Sequence, residues 1–205
     1  TRVGWRSRRG GSSFSAMRIG IFGGTFDPPH VGHLIAAQEV YVQLGLDRLL
    51  LVPAAVPPHK RDETVSPGDV RLEMLRAAVG DDDRFAVSEL ELERDGPSYT
   101  VDTLRALRRE YPDAELFLAM GADQLDAFDT WKAPGEIAEL ATLVTFGRSG
   151  TEPESGRWPA TRVSVPEIDL SSTLIRQRVD RGAPIRYLVP AGVEAIIRAS
   201  ALYGG

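Results

Sequence analysis

Residues 19–34, Ile-Gly-Ile-Phe-Gly-Gly-Thr-Phe-Asp-Pro-Pro-His-Val-Gly-His-Leu, constrain this chain more than any other stretch. Ile19 and Ile21 supply a buried strand. Gly23 and Gly24 remove two side chains where backbone must turn sharply or approach a ligand closely. Helical periodicity follows: Leu34, Ala37, Tyr41 and Leu44 share one face, and Gly45 is a stop signal. His30 and His33 are three residues apart and project from one side of the helix start. A helix start offers free N–H groups and a partial positive charge. Preceded by glycines and flanked by two imidazoles, it suits a polyphosphate.

Strand-like and helix-like segments then alternate. Leu49–Val52 and Leu116–Met120 are continuous apolar runs, as in strands buried on both faces of a parallel sheet. Ser66-Pro67 predicts a helix start with proline in the first position, and Leu72, Leu75 and Val79 form its apolar face. Phe85 to Glu93 alternates apolar and polar residues and predicts a strand. A helix from Thr100 ends near Pro112. A short helix around Glu136, a strand over Leu140–Phe146 and another over Arg162–Val165 follow. Ser171 or Ser172 caps a helix closed by Gly182, and Pro190–Ser200 forms the last one. The pattern predicts an α/β fold, a doubly wound and mostly parallel sheet with a small C-terminal helical portion. Ligands of such sheets lie beyond the carboxyl ends of the strands, where strand order reverses. Three polar segments follow apolar strands directly: Gly23–His33, Pro53–Lys60 and Gly121–Asp123. All three are expected to line one cleft.

Composition narrows the classes. With 205 residues, 42% of them hydrophobic, the chain can bury a real core. The net charge of −5 gives no basic field for nucleic acid. No cysteine is present, which removes disulfides, thiol nucleophiles and thiolate zinc sites. No apolar run reaches the roughly 20 residues of a membrane span. A cytoplasmic protein is expected, without nucleic-acid or membrane partners and with a homo-oligomer left open. Residues 1–16 hold four arginines and no acid, and read as a disordered extension before a domain at 17–205. Gly147–Pro159 reads as a mobile loop.

The glycines match neither the G-x-G-x-x-G nor the G-x-x-x-x-G-K-[ST] pattern. Zinc fits poorly, since no third ligand accompanies the histidine pair. A second constellation, Leu170-Ser-Ser-Thr-Leu-Ile-Arg176, places Ser172, Thr173 and Arg176 around another helix start. Alone it is an N-cap with a surface arginine; beside the histidine motif it reads as a second phosphate cradle.

Gly23-Gly-Thr-Phe-Asp-Pro-Pro-His-Val-Gly-His33 and Ser171-Ser-Thr-Leu-Ile-Arg176 together resemble the two signatures of the H-x-G-H nucleotidyltransferase superfamily. The nearest pattern is that of the bacterial nicotinate-nucleotide adenylyltransferases, over about residues 17–203. Pro57-Pro-His-Lys60, Pro97-Ser-Tyr-Thr100 and Gly121-Ala-Asp123 with Phe128 and Trp131 add to it. The family often has Arg-Pro-Gly where this chain has Arg148-Ser149-Gly150, and Ile where it has Leu170. The resemblance implies a Rossmann-like nucleotidyltransferase fold and adenylyl transfer from ATP to nicotinate mononucleotide. The implied catalytic residues are His30, His33 and Arg176. Gly23, Gly24, Thr25, Phe26, Gly121, Asp123, Ser172 and Thr173 are implied to bind ATP. Lys60, Thr100, Trp131 and Arg148 are implied for the mononucleotide. Trp131 reads equally as core, Asp123 as a helix cap, and Lys60 and Arg148 as solvated loop cations. Mg2+ is expected to arrive on ATP, with no protein-held metal. A phosphopantetheine adenylyltransferase and a nucleotide-binding regulatory module are the rival readings. Gly147-Arg-Ser-Gly150 is not a hydrolase elbow.

Overall fold

A computed structural model describes residues 16–55, 65–94, 96–147 and 157–204. Its elements run β1 (Arg18–Gly24), α1 (Val31–Gln43), β2 (Arg48–Pro53), α2 (Gly68–Val79), β3 (Phe85–Val87), α3 (Thr100–Glu110), β4 (Glu115–Gly121), α4 (Ala122–Asp126), α5 (Pro134–Leu140), β5 (Thr142–Gly147), β6 (Thr161–Ser164), α6 (Ser172–Asp180) and α7 (Ala191–Ala199). A one-turn 3-10 helix, Phe128–Thr130, sits between α4 and α5. The sheet order is β3-β2-β1-β4-β5-β6, and every pairing is parallel. This is the expected doubly wound sheet, and its order reverses between β1 and β4.

Alternation along β1 explains the layers. Ile19 and Ile21 enter a core with Leu104 and Leu107 of α3 and Ile137 of α5. Phe22 faces the opposite core, with Ala36, Ala37 and Val40 of α1. Gly20 is required by packing, since a Cβ there would stand 2.5 Å from Leu46 Cδ1. A third core joins Met74 of α2 to Ile175 of α6 and to Val193 and Ile197 of α7. The C-terminal helices are thereby anchored beside the phosphate motif, which gives the predicted helical portion its task.

Three local expectations are corrected. The strand predicted over Phe85–Glu93 stops at Val87, opposite Leu51 of β2; Ser88 N–H makes the last bond, to Leu51 O (2.9 Å). The chain then curls, with Glu93 N–H bonded to Glu89 O, and Glu91 turns inward. α2 begins at Gly68, so Pro67 is its N-cap residue rather than its first helical one. Leu140 closes α5 instead of opening β5. Most of the arginine-rich segment (1–15) and much of the Gly147–Pro159 loop (148–156) lie outside the described residues, as do Lys60 and Arg148.

Candidate active site

Two cavities open at the carboxyl end of the sheet. The larger, about 840 Å³, is lined by Gly23–Asp27, His30 and His33 from the first motif and by Ser171–Thr173 and Arg176 from the second. Gly121, Asp123 and Gln124 also reach it. The smaller, about 250 Å³, is lined by Thr100 of α3, Trp131 and Lys132, with Val52, Ala54 and buried Glu91. Gly23, Gly24, Thr25 and Gln124 line both. The two cavities therefore meet over the end of β1. The expected gathering of three post-strand segments holds for Gly23–His33 and Gly121–Asp123 in the larger cavity. From the Pro53–Lys60 segment, Ala54 reaches the smaller one, and residues 56–60 are outside the described part.

The start of α1 is crowded and self-satisfied. His30 is the N-cap residue, buried, with its ring stacked on that of His33 at 3.7 Å. Phe26 stands edge-on to His33 at 5.0 Å and to Phe22 at 5.9 Å. Phe26 is fully buried, with a left-handed backbone (φ 51°), so it acts as a shelf beneath the imidazole. Gly32 explains the spacing of the motif: a Cβ there would stand 3.0 Å from His30 Nδ1. Gly24 leaves room for the Phe26 ring in the same way, at 3.0 Å. Gly23 has no atom within 4 Å of where its Cβ would be, so its surface is open to a ligand.

Free N–H groups were the expectation here, and the structure narrows it to Gly32, whose N–H has no partner among the described residues. Val31 N–H donates to Leu188 O (3.0 Å), His33 N–H to His30 O (3.0 Å), and His30 N–H to His33 Nδ1 (3.2 Å). The last bond makes His33 Nδ1 an acceptor, so the neutral ring carries its proton on Nε2. His30 Nδ1 is buried without a partner, which leaves Nε2 to meet a ligand. Imidazole donors thus stand in for the Val31 and His33 N–H groups, beside the open Gly32 N–H. Burial pushes the His30 imidazole down to about 4. Burial, reinforced by His30, pushes His33 down to about 3. Both rings are neutral donors at neutral pH in the free protein.

The start of α6 is built differently. Ser171, not Ser172, is the N-cap; its Oγ accepts the Leu174 N–H at 3.2 Å. Ser172 is freed to donate its hydroxyl to Pro28 O (2.8 Å), and Arg176 Nη1 donates to Asp27 O (2.8 Å). Arg176 Nη2 also meets Thr173 Oγ1 at 3.2 Å. Two side chains from α6 therefore grip the loop after β1 from across nearly 150 residues. No partner for the Ser172 or Thr173 N–H is present among the described residues, so the helix start remains open. Open N–H groups at a helix start are suited to an anion.

Gly121, not Asp123, caps α4, and its N–H donates to Gln124 Oε1 (3.1 Å). Asp123 stands exposed at the rim of the larger cavity. Trp131 lines the smaller cavity and packs on Phe128, with ring centroids 5.2 Å apart. Thr100 opens α3, with Tyr99 as N-cap.

Arg71 escaped the sequence reading. Its side chain is buried in α2 and donates to four carbonyls: Ser66 (2.8 Å), Thr25 (2.9 Å), Ala54 (2.7 Å) and Ala55 (3.3 Å). It ties the loops after β1 and β2 to the start of α2, and Asp27 stabilises its charge against burial. The signal was its phase, because Met74 and Leu75 lie on the same helical face.

A parallel sheet with two motif-bearing helix starts at its reversal point defines a nucleotidyltransferase-type site. The family model described as Cytidylyltransferase-like matches residues 21–178. A Thermus thermophilus protein named a probable nicotinate-nucleotide adenylyltransferase is 50% identical over 187 residues, which cover 91% of this chain and all of that protein. A Geobacillus thermodenitrificans protein of the same name is 47% identical, covering 91% of this chain and 86% of the relative. Among solved structures, the Plasmodium falciparum nicotinic acid mononucleotide adenylyltransferase complexed with NaAD aligns with a TM-score of 0.76. That alignment covers 91% of this chain and 97% of the other at 15% identity, and bears on the fold. The chain belongs to the cytidylyltransferase-like family, in its nicotinate-nucleotide adenylyltransferase branch.

Proposed function

We propose that the protein transfers the adenylyl group of ATP to nicotinate mononucleotide, giving nicotinate adenine dinucleotide and pyrophosphate. One observation carries this reading beyond family membership: a large polar cavity holding both phosphate motifs joins a smaller aromatic one at Gly23–Thr25. Two substrates seated there would meet phosphate to phosphate.

The acceptor's phosphate monoester has a second pKa of about 6 and is largely dianionic at neutral pH. It needs no general base. An oxygen of this phosphate attacks the α-phosphorus of ATP. The bond from that phosphorus to the bridging oxygen breaks, and the electron pair leaves on pyrophosphate. The barrier lies in bringing anions together and in stabilising charge on the leaving group, which calls for positioned donors. His30 and His33 offer Nε2 donors, α6 offers the Ser172 and Thr173 backbone N–H groups with the Thr173 hydroxyl, and Arg176 offers charge. Gly24, Thr25 and Gly121 form the floor. Phe26 holds His33 from below. Asp123 is placed for a ribose hydroxyl. Thr100, at a helix start, suits the pyridine carboxylate, and Trp131 its ring. Lys60 and Arg148 remain candidates for the mononucleotide's anionic groups.

Mg2+ enters this reading as part of the ATP substrate. Among the described residues no group of three or more His, Cys, Asp or Glu could hold a metal ion. No helix among the described residues is long and apolar enough to cross a membrane. A cytoplasmic location is part of the proposal, as is a domain spanning 17–205 behind an N-terminal extension.

The test is pyrophosphate release from ATP with nicotinate mononucleotide, nicotinamide mononucleotide and phosphopantetheine as separate acceptors. The expected result is turnover on the nicotinate form, at least about tenfold faster than on the amide, because a helix start favours an anion. Release only with phosphopantetheine would overturn the acceptor. Nucleotide binding without release on any acceptor would leave a regulatory module.

A further inference from the structure

Asp27 is buried in the loop between β1 and α1 and is held from three sides. Its backbone oxygen accepts from Arg176 Nη1, and its Oδ2 accepts the Ser66 N–H at 3.1 Å. Its Oδ1 accepts the hydroxyl of Tyr203, which is 176 positions away and lies beyond the end of α7. Tyr203 has a left-handed backbone, φ 62°, a conformation that costs energy at a residue other than glycine. The third core supplies the compensation, since the Tyr203 ring packs there with Met74, Ile175 and Val193. The same core fixes α6 through Ile175, one residue before Arg176. The Tyr203–Asp27 bond thus adds to Ser172 on Pro28 O and Arg176 on Asp27 O in joining this core to the phosphate loop.

We propose that Tyr203 is a positioning residue for adenylyl transfer: its hydroxyl fixes the Asp27 carboxylate, and with it the carbonyl on which Arg176 is seated. The proposal rests on the function given above. Neither Asp27, Arg176 nor Tyr203 lines the smaller cavity, so the contact should act on the step at the phosphates and not on acceptor binding. A misplacement of about 1 Å can cost about a hundredfold in rate.

Tyr203→Phe keeps the ring and removes only the hydroxyl. We expect kcat to fall about tenfold while KM for nicotinate mononucleotide stays unchanged. The melting temperature should move by only a few degrees, as expected for one hydrogen bond in a chain of this size. Asp27→Asn is the second variant, and the double variant should lose no more than the worse single one. Wild-type kcat in the Phe variant, or losses that multiply in the double variant, would overturn the assignment. If the wild type itself forms no dinucleotide, the function falls and this inference with it. An active wild type with an equally active Phe variant overturns this inference alone.

Discussion

The helix starts of α1 and α6 face one cavity and are built on opposite principles. At α1 the Val31 and His33 N–H groups are spent within the protein, His33 packs edge-on against Phe22 and Phe26, and the side-chain donors offered are neutral imidazoles. At α6 the backbone donors are open, Thr173 is exposed, and the offered side chain is a guanidinium. The first arrangement provides fixed direction at low charge. The second provides charge and is aimed by bonds to the loop that the first one starts from. Catalysis of phosphate transfer needs both: donors that are already in place, and positive potential where pyrophosphate departs.

Removing a donor from the rigid side should cost most. His33→Ala is expected to lower kcat by about 10²–10³-fold, the usual cost of deleting one preorganised donor to a developing anion. Steady-state kinetics with a folded variant checks this, and near-normal turnover would leave α6 as the sole working half.

Acid should damage only the α1 side. Guanidinium groups keep their charge throughout the accessible range. The two imidazoles are held at about 4 and about 3 by burial, with His30 adding to the effect on His33. In the unfolded chain they titrate near 6.5. Between those values the unfolded state binds more protons, so their contribution to stability is complete above pH 6.5 and is lost as pH falls towards 4 and then 3. Glu91, whose carboxyl burial pushes upward, acts in the opposite sense. Denaturant midpoints should therefore decline from pH 6.5 to 4.5 in the wild type, and decline less in the His30→Asn/His33→Asn variant. Equal slopes would mean that the rings accept protons without cost.

Much of this division was readable in the sequence, because its signals are local. Glycines after an apolar run, two histidines three apart and a Ser-Ser-Thr before a helical stripe each occupy about one turn of chain. What escaped depends on contacts distant in sequence. Nothing near Val31 announces that Leu188 O takes its N–H, and nothing near Asp27 announces Tyr203. The Phe85–Glu93 stretch looked like a strand because Leu90 and Leu92 alternate with Glu89, Glu91 and Glu93, which puts Glu91 on the polar phase. It is nonetheless buried, as a carboxylate that accepts the Thr103 hydroxyl at 2.6 Å. Arg71 was hidden too, since a charged residue on an apolar face reads as an interruption until its four carbonyls are seen.

On the α6 side, Arg176→Lys keeps the charge and removes the fork that spans Asp27 O and Thr173 Oγ1. If charge were the whole contribution, turnover would hold. With geometry also required, kcat is expected to fall about 10–30-fold, less than for His33→Ala, with KM for nicotinate mononucleotide little changed.

The smallest effect is expected from Gly32→Ala, and it sharpens the comparison most. The added methyl would sit 3.0 Å from His30 Nδ1 and 3.1 Å from Cε1. That is closer than side chains normally pack, so the ring must yield by a few tenths of an ångström. It cannot yield freely, because it is stacked on His33 at 3.7 Å and buried to 6% exposure. Alanine is otherwise the better helix residue by roughly 1 kcal/mol, so stability should change little or rise. Turnover should fall about 3–10-fold through tilted imidazoles, while ATP still binds at the untouched α6 start. A variant that is more stable yet slower, measured by melting and kcat together, would show that the glycine of the motif serves ring placement. Unchanged kcat would show that the α1 donors tolerate displacement, and the rigid half of the site would lose its distinction from the other.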